Sequence, residues 1–168
     1  PGWRKDFLGE PDPSPWLTPE EFFRPLASRV KVFNHDWSFV GRQAELTAIN
    51  TFLSSSSERV LIISGRGGVG KSRLLRAFSE DLPATTNVVF TSSSTDIKPK
   101  DFELLPTGGV LVIDDAHENP DLSQLLGTIA LSRPNLKVLI STRPYGLPQI
   151  QHDLTRSGFG FKAEDTLR

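Results

Sequence analysis

Cysteine is absent from the 168-residue chain, which rules out disulfides and thiolate metal sites and fits a reducing cytosol. Methionine is absent too, and the chain opens on Pro1, so it reads as a piece of something longer, with further domains expected. No apolar run approaches the roughly 18 residues of a membrane span, and no signal-peptide pattern stands at the start. Charge of one sign is also missing. With 19 Lys and Arg against 20 Asp and Glu, the net charge is -1, and nothing global draws the chain to nucleic acid or to a membrane. What remains, 37% hydrophobic and 23% charged residues, is ordinary for one soluble globular domain.

Residues 1–36 read as an N-terminal linker or arm with a short helix. Pro, Gly and charge dominate as far as Pro15, and Thr18-Pro19-Glu20-Glu21 then offers a capping box with proline at the first helical position. Phe22, Phe23 and Leu26 would share a face of the helix, and Pro25 limits its regular run. The remainder, 37–168, reads as the nucleotide-binding domain. Leu46, Ile49 and Leu53 mark an amphipathic helix from Arg42 to Leu53. Val60-Leu61-Ile62-Ile63 is a continuous apolar run suited to a strand buried on both faces. A helix carrying Leu74, Leu75 and Phe78 follows and ends at Pro83. Strands are expected at Asn87–Thr91, Val110–Ile113, Val138–Ile140 and, weakly, Phe159–Lys162. Helices are expected at Pro120–Leu131 and Pro148–Arg156. Such alternation implies right-handed crossovers and a mostly parallel sheet covered on both sides, an α/β architecture.

The most specific signal is Gly65-Arg66-Gly67-Gly68-Val69-Gly70-Lys71-Ser72, a Walker A phosphate loop set between a buried strand and a helix. Its glycines let backbone N–H groups turn inward around a phosphate, and the helix adds its positive N-terminal end. Lys71 is placed to reach the β- and γ-oxygens, and the Ser72 hydroxyl to ligate Mg²⁺. Gly65, Arg66, Gly67, Gly68, Val69, Gly70, Lys71, Ser72 and the adjoining Arg73 form the nucleotide-holding set. A second strand ends in Asp114-Asp115, 43 residues after Lys71, as a Walker B element does. Asp114 would hold Mg²⁺, and Asp115 would orient or deprotonate the attacking water, with Glu118 or His117 as substitutes. His117 reads more readily as a loop residue. A third apolar strand runs into Ser141-Thr142-Arg143, placing Thr142 and Arg143 toward the γ-phosphate if this strand lies between the other two. Arg133 is a weaker candidate, as an arginine finger toward a neighbouring subunit. The absence of an Asn-Lys-x-Asp or Thr-Lys-x-Asp segment favours ATP over GTP.

The succession Phe39-Val40-Gly41-Arg42, the phosphate loop, Val-Leu-Val-Ile-Asp-Asp-Ala-His and Ser-Thr-Arg resembles the STAND class. These are signal-transduction ATPases related to AAA+ proteins, including NB-ARC and NACHT immune receptors and bacterial anti-phage defence proteins. The resemblance covers Trp37 to Lys162. It implies a P-loop NTPase three-layer sandwich with a five-stranded, mostly parallel sheet in the order 5-1-4-3-2, counted from the Val60 strand. It also implies that Val40, Gly41 and Arg42 line the adenine pocket, that Asp114 serves magnesium, that Asp115 activates water and that Arg143 senses the γ-phosphate. The class's activity would be slow ATP hydrolysis in a cytoplasmic switch, ADP-closed and ATP-open, homo-oligomeric with ATP. AAA+ motors usually carry Glu where Asp115 stands, whereas NACHT proteins place an acid a few residues after the first Asp, so the general base stays open between Asp115 and Glu118. A motor or loader ATPase and a catalytically weak scaffold are the alternatives.

Overall fold

The computed structural model describes residues 14–29, 41–91, 97–159 and 166–167. In chain order the strands are β1 (Trp16–Leu17), β2 (Val60–Ser64), β3 (Val88–Thr91), β4 (Gly108–Ile113), β5 (Asn135–Thr142) and β6 (Thr166–Leu167). The helices are α1 (Pro19–Arg29), α2 (Gln43–Ser54), α3 (Lys71–Asp81), α4 (Leu122–Ser132) and α5 (Leu147–Arg156), with 3₁₀ turns at Pro99–Leu104, Ala116–Glu118 and Pro144–Gly146. None of the described helices is long and apolar enough to cross a membrane.

The sheet order is β1-β3-β4-β5-β2-β6. All pairings are parallel except β1 with β3. The five parallel strands therefore follow the expected order, and β1 adds a sixth at the edge. Each central strand is apolar on both faces, so the alternation of side chains feeds two cores. Val60, Ile62, Leu111, Ile113, Val138 and Ile140 pack against α4 and α5. Leu61, Ile63, Val110, Val112 and Leu139 pack with α2 and α3. The result is three layers.

The described part of the expected arm is built onto this sheet. Trp16 is buried, its indole N–H donates to the Asp101 carbonyl at 2.6 Å, and its ring meets Phe102 edge-on at 5.8 Å. The capping box forms: the Thr18 N–H donates to the Glu21 carboxylate at 2.9 Å, and the Glu21 N–H donates to the Thr18 hydroxyl at 3.3 Å. That start aims Phe22 and Phe23 at Phe90 of β3, with ring centroids 4.5 and 5.2 Å away. The helix continues through Pro25 to Arg29.

Several boundaries differ from the reading of the sequence: β4 already begins at Gly108 and α4 only at Leu122. β5 extends to eight residues, beyond the apolar run of Val138–Ile140, because Lys137 fits a strand by sending its ammonium to the end of α2. There it donates to the carbonyls of Phe52 at 2.8 Å, Ser55 at 2.5 Å and Glu58 at 2.8 Å. The strand expected at Phe159–Lys162 lies mostly outside the described residues. Phe159 itself is buried without strand pairing, and the terminal parallel strand is β6.

Candidate functional site

The carboxyl ends of β2, β4 and β5 lie side by side, with β5 in the middle. The register pairs Ile113 with Ile140, and Ser64 with Thr142. Residues following each strand are thereby gathered at one edge, where parallel sheets of this kind bind ligands.

The phosphate loop leaves β2, and its first amide is tied across to β5: the Gly65 N–H donates to the Thr142 carbonyl at 3.1 Å. Gly70 sits at φ 90°, a left-handed conformation that turns the chain into α3 at a position where a side chain would be strained. Lys71 opens the helix and is only 7% exposed. Its ammonium donates to the carbonyls of Gly65 at 3.0 Å and Arg66 at 3.4 Å, and stands 3.8 Å from Asp115 Oδ1. Arg66, Gly67, Gly68 and Val69 form the exposed crest of the loop, and Arg73 is exposed on α3.

The Ser72 hydroxyl donates to Asp114 Oδ2 at 2.6 Å. The other oxygen of the same carboxylate accepts the Ser141 hydroxyl, and the Asp115 N–H donates to Ser141 Oγ at 2.9 Å. Asp115 has φ 47°, the only positive value at a non-glycine position among the described residues. Its Oδ1 is buried and has no hydrogen-bond partner. Such a conformation at a non-glycine residue persists only where its surroundings hold it. Arg143 leaves β5 so that its guanidinium lies over the phosphate loop. A Cβ placed on Gly67 would be 3.8 Å from Arg143 Cζ. The Arg143 Nε is buried and meets no acceptor.

The other expected residues are placed as follows. Val40 lies outside the described residues. Gly41 is exposed at φ 96°. Arg42 donates to the Val69 carbonyl and pairs with Glu45 at 3.5 Å, so its guanidinium steadies the loop crest. Glu118 is 65% exposed and neighbours His117 at 3.7 Å, whereas it is Asp115 that meets Lys71. Thr142 is fully buried, with its hydroxyl turned to the Arg143 carbonyl at 3.2 Å. Arg133 is no projecting finger: it donates to the carbonyls of Leu105 at 3.1 Å and Phe102 at 2.5 Å, where β5 begins, at the opposite end of the sheet.

Ser141 is the residue that sequence reasoning passed over. Aligning the last apolar residues of the two runs, Ile113 and Ile140, would have set Ser141 beside Asp114.

In fold the chain is similar to Hsp104 in its closed state with ATPγS and FITC-casein, with a TM-score of 0.58 and 18% identity over 88% of this chain and 30% of that one. It is likewise similar to the Saccharomyces cerevisiae Hsp104–ADP complex, with a TM-score of 0.52 and 20% identity over 71% of this chain and 21% of that one. The chain thus spans less than a third of the length of these proteins. No curated protein sequence matches it. Residues 38–108, which include the phosphate loop and stop before the acidic end of β4, match the AAA ATPase domain.

Proposed function

We propose that this chain is the ATP-binding, slowly hydrolysing switch domain of a larger STAND signalling protein, closed with ADP and open and homo-oligomeric with ATP. The observation that carries the reading is the position of Arg143. It spans from the end of β5 to Gly67 of the phosphate loop, with its Nε buried and unmatched by any acceptor. A guanidinium there is suited to a third phosphate and has less to grip on a diphosphate. A switch needs that difference, because only a ligand that interacts unequally with two states shifts them.

In this reading the loop amides from Gly65 to Gly70 cradle the phosphates, with Arg73 in the first turn of α3, and Lys71 exchanges its two carbonyl partners for phosphate oxygens. Val40, Gly41 and Arg42 flank the adenine. Ser72 and Asp114 form a set of hard oxygen donors of the kind magnesium takes while keeping several of its waters. They would hold the ion, which supplies charge neutralisation to the phosphates. The buried Oδ1 of Asp115, which has no hydrogen-bond partner among the described residues and stands 3.8 Å from the Lys71 ammonium, accepts a proton from water. A role in immune or anti-phage defence belongs to the same reading and rests on the class resemblance alone.

Calorimetric titration with Mg·ATP, Mg·ADP and Mg·GTP tests this. Adenine-selective binding is expected, with ATP bound more tightly than ADP, and Lys71→Ala should lose triphosphate affinity while keeping the fold. Equal affinity for all three nucleotides would overturn it. The fold shared with Hsp104 supports a second reading, a motor or loader ATPase. That reading requires turnover that rises on adding an unfolded polypeptide such as casein, or a nucleic acid.

A further inference from the structure

We infer that His117 is a positioning residue that joins the turn carrying Asp115 to the turn carrying Arg143, and so sets how well the site tells ATP from ADP. The inference rests on the reading of Arg143 given above.

The two turns leave adjacent strands and are each closed by short backbone bonds. The Glu118 N–H donates to the Asp115 carbonyl at 2.9 Å, and the Gly146 N–H donates to the Arg143 carbonyl at 3.0 Å. Neither bond links one turn to the other. Ser141 ties the Asp115 N–H to the end of β5, and beyond it the turns meet at His117, whose side chain is 3% exposed. Its ring meets Tyr145 edge-on, with centroids 5.1 Å apart and planes at 86°. Its Cβ lies so close to Gly146 that a Cβ added there would collide with it, and would also come within 2.9 Å of Thr142 Oγ1. Glycine is therefore required at 146 by close approach, not by its backbone angles, which are ordinary at φ -83°.

The chemistry of the ring shows how it acts. Both imidazole nitrogens are buried without a hydrogen-bond partner among the described residues, and the nearest charged atom, Glu118 Oε1, is 3.7 Å from Nε2. The contacts by which the ring joins the turns are therefore its packing against Tyr145 and Gly146. Volume at this point fixes the separation of two turns whose outer ends hold opposite sides of the phosphate site. One end presents Asp115 to Lys71, and the other lays Arg143 over Gly67. Packed joints of this kind have discrete arrangements and do not yield gradually.

The experiment compares Mg·ATP and Mg·ADP dissociation constants for the full chain and four variants, well below each variant's unfolding midpoint. His117→Ala is expected to weaken ATP about tenfold while leaving ADP within about twofold, the scale of one charge-assisted contact. Gly146→Ala, which forces the turns apart, should do the same. His117→Leu, close to histidine in volume and without polar atoms, should retain the preference for ATP, which a role for the nitrogens would not allow. Combining His117→Ala with Arg143→Ala should add nothing to Arg143→Ala alone. If Arg143→Ala abolishes the preference while His117→Ala leaves it intact or adds its own independent loss, the joint is disproved and the Arg143 reading survives. If Arg143→Ala leaves the preference unchanged, both fail. Equal loss of ATP and ADP on His117→Ala would reduce the residue to general packing and overturn the proposal.

Discussion

Ser141 on β5 gives its hydroxyl proton to Asp114, just past the end of β4, and takes the amide proton of Asp115 on the same oxygen. One fully buried side chain thus fixes the orientation of one carboxylate and the left-handed backbone of the next. Its removal leaves that carboxylate oxygen and the Asp115 N–H with only their own longer contact of 3.2 Å. Ser141→Ala is expected to destabilise the chain by about 1–3 kcal/mol, measured by urea unfolding. The magnesium-dependent part of ATP binding should shrink, while binding measured in a chelator stays unchanged. A variant of unaltered stability and magnesium dependence would show that Ser141 is filler.

In the proposed hydrolysis, the two candidate bases differ in where they stand. Asp115 places a buried, unbonded oxygen 3.8 Å from the Lys71 ammonium, whereas Glu118 is 65% exposed beside His117. Asp115→Asn should therefore cut turnover roughly a hundredfold or more, the usual scale for losing a general base, with ATP affinity little changed. Glu118→Gln should leave turnover within about twofold. The reverse pattern in a phosphate-release assay would move the base to Glu118.

Most of the parallel sheet was legible because its strands are apolar on both faces and give way to polar residues at the carboxyl edge of the sheet. Val60–Ile63, Val110–Ile113 and Val138–Ile140 each stop at such a place, and all three belong to the central strands. The phosphate loop was legible because its glycines and lysine serve local backbone geometry. Pairings between distant segments were harder to read. Trp16-Leu17 has too few residues to show period-two alternation, and its place was set by Trp16 finding Phe102 and the Asp101 carbonyl, 85 residues away. Ser141 and His117 act across strands, and nothing in their immediate neighbours announces the partner. The contact of the Arg42 guanidinium with the Val69 carbonyl is likewise a pairing between distant segments.

The capping box at the start of α1 gives a pH dependence of known sign. Glu21 accepts the Thr18 N–H, and this bond holds its carboxyl below the usual carboxylate range, helped by the Thr18 hydroxyl. A carboxyl whose folded pKa is lowered adds stability that is present above its unfolded value and is lost as pH falls through the folded one. Glu21→Gln should lower the melting temperature at neutral pH, and the gap from the parent should close as the pH is taken below about 4. A gap that persists undiminished in acid would mean that the bond acts without the charge.

Lys137 carries the last expectation. No basic residue lies in the final turn of α2, yet a helix end with unpaired carbonyls favours a cation. β5 supplies it from 82 residues further on, through the Lys137 ammonium, which binds three carbonyls and lies 4.7 Å over the Phe52 ring. Burial pushes the pKa of this ammonium down, and the carbonyls offset that cost by solvating the charge. Lys137→Met keeps the aliphatic stem but leaves those carbonyls without their donor. It should cost about 2 kcal/mol, the scale of hydrogen bonds to a charged group, read from denaturant midpoints at pH 7. Lys137→Arg, whose planar fork cannot gather the three carbonyls around one nitrogen, should recover only part of the loss. Full recovery with arginine would mean that charge at the end of α2 matters and convergence on a single nitrogen does not.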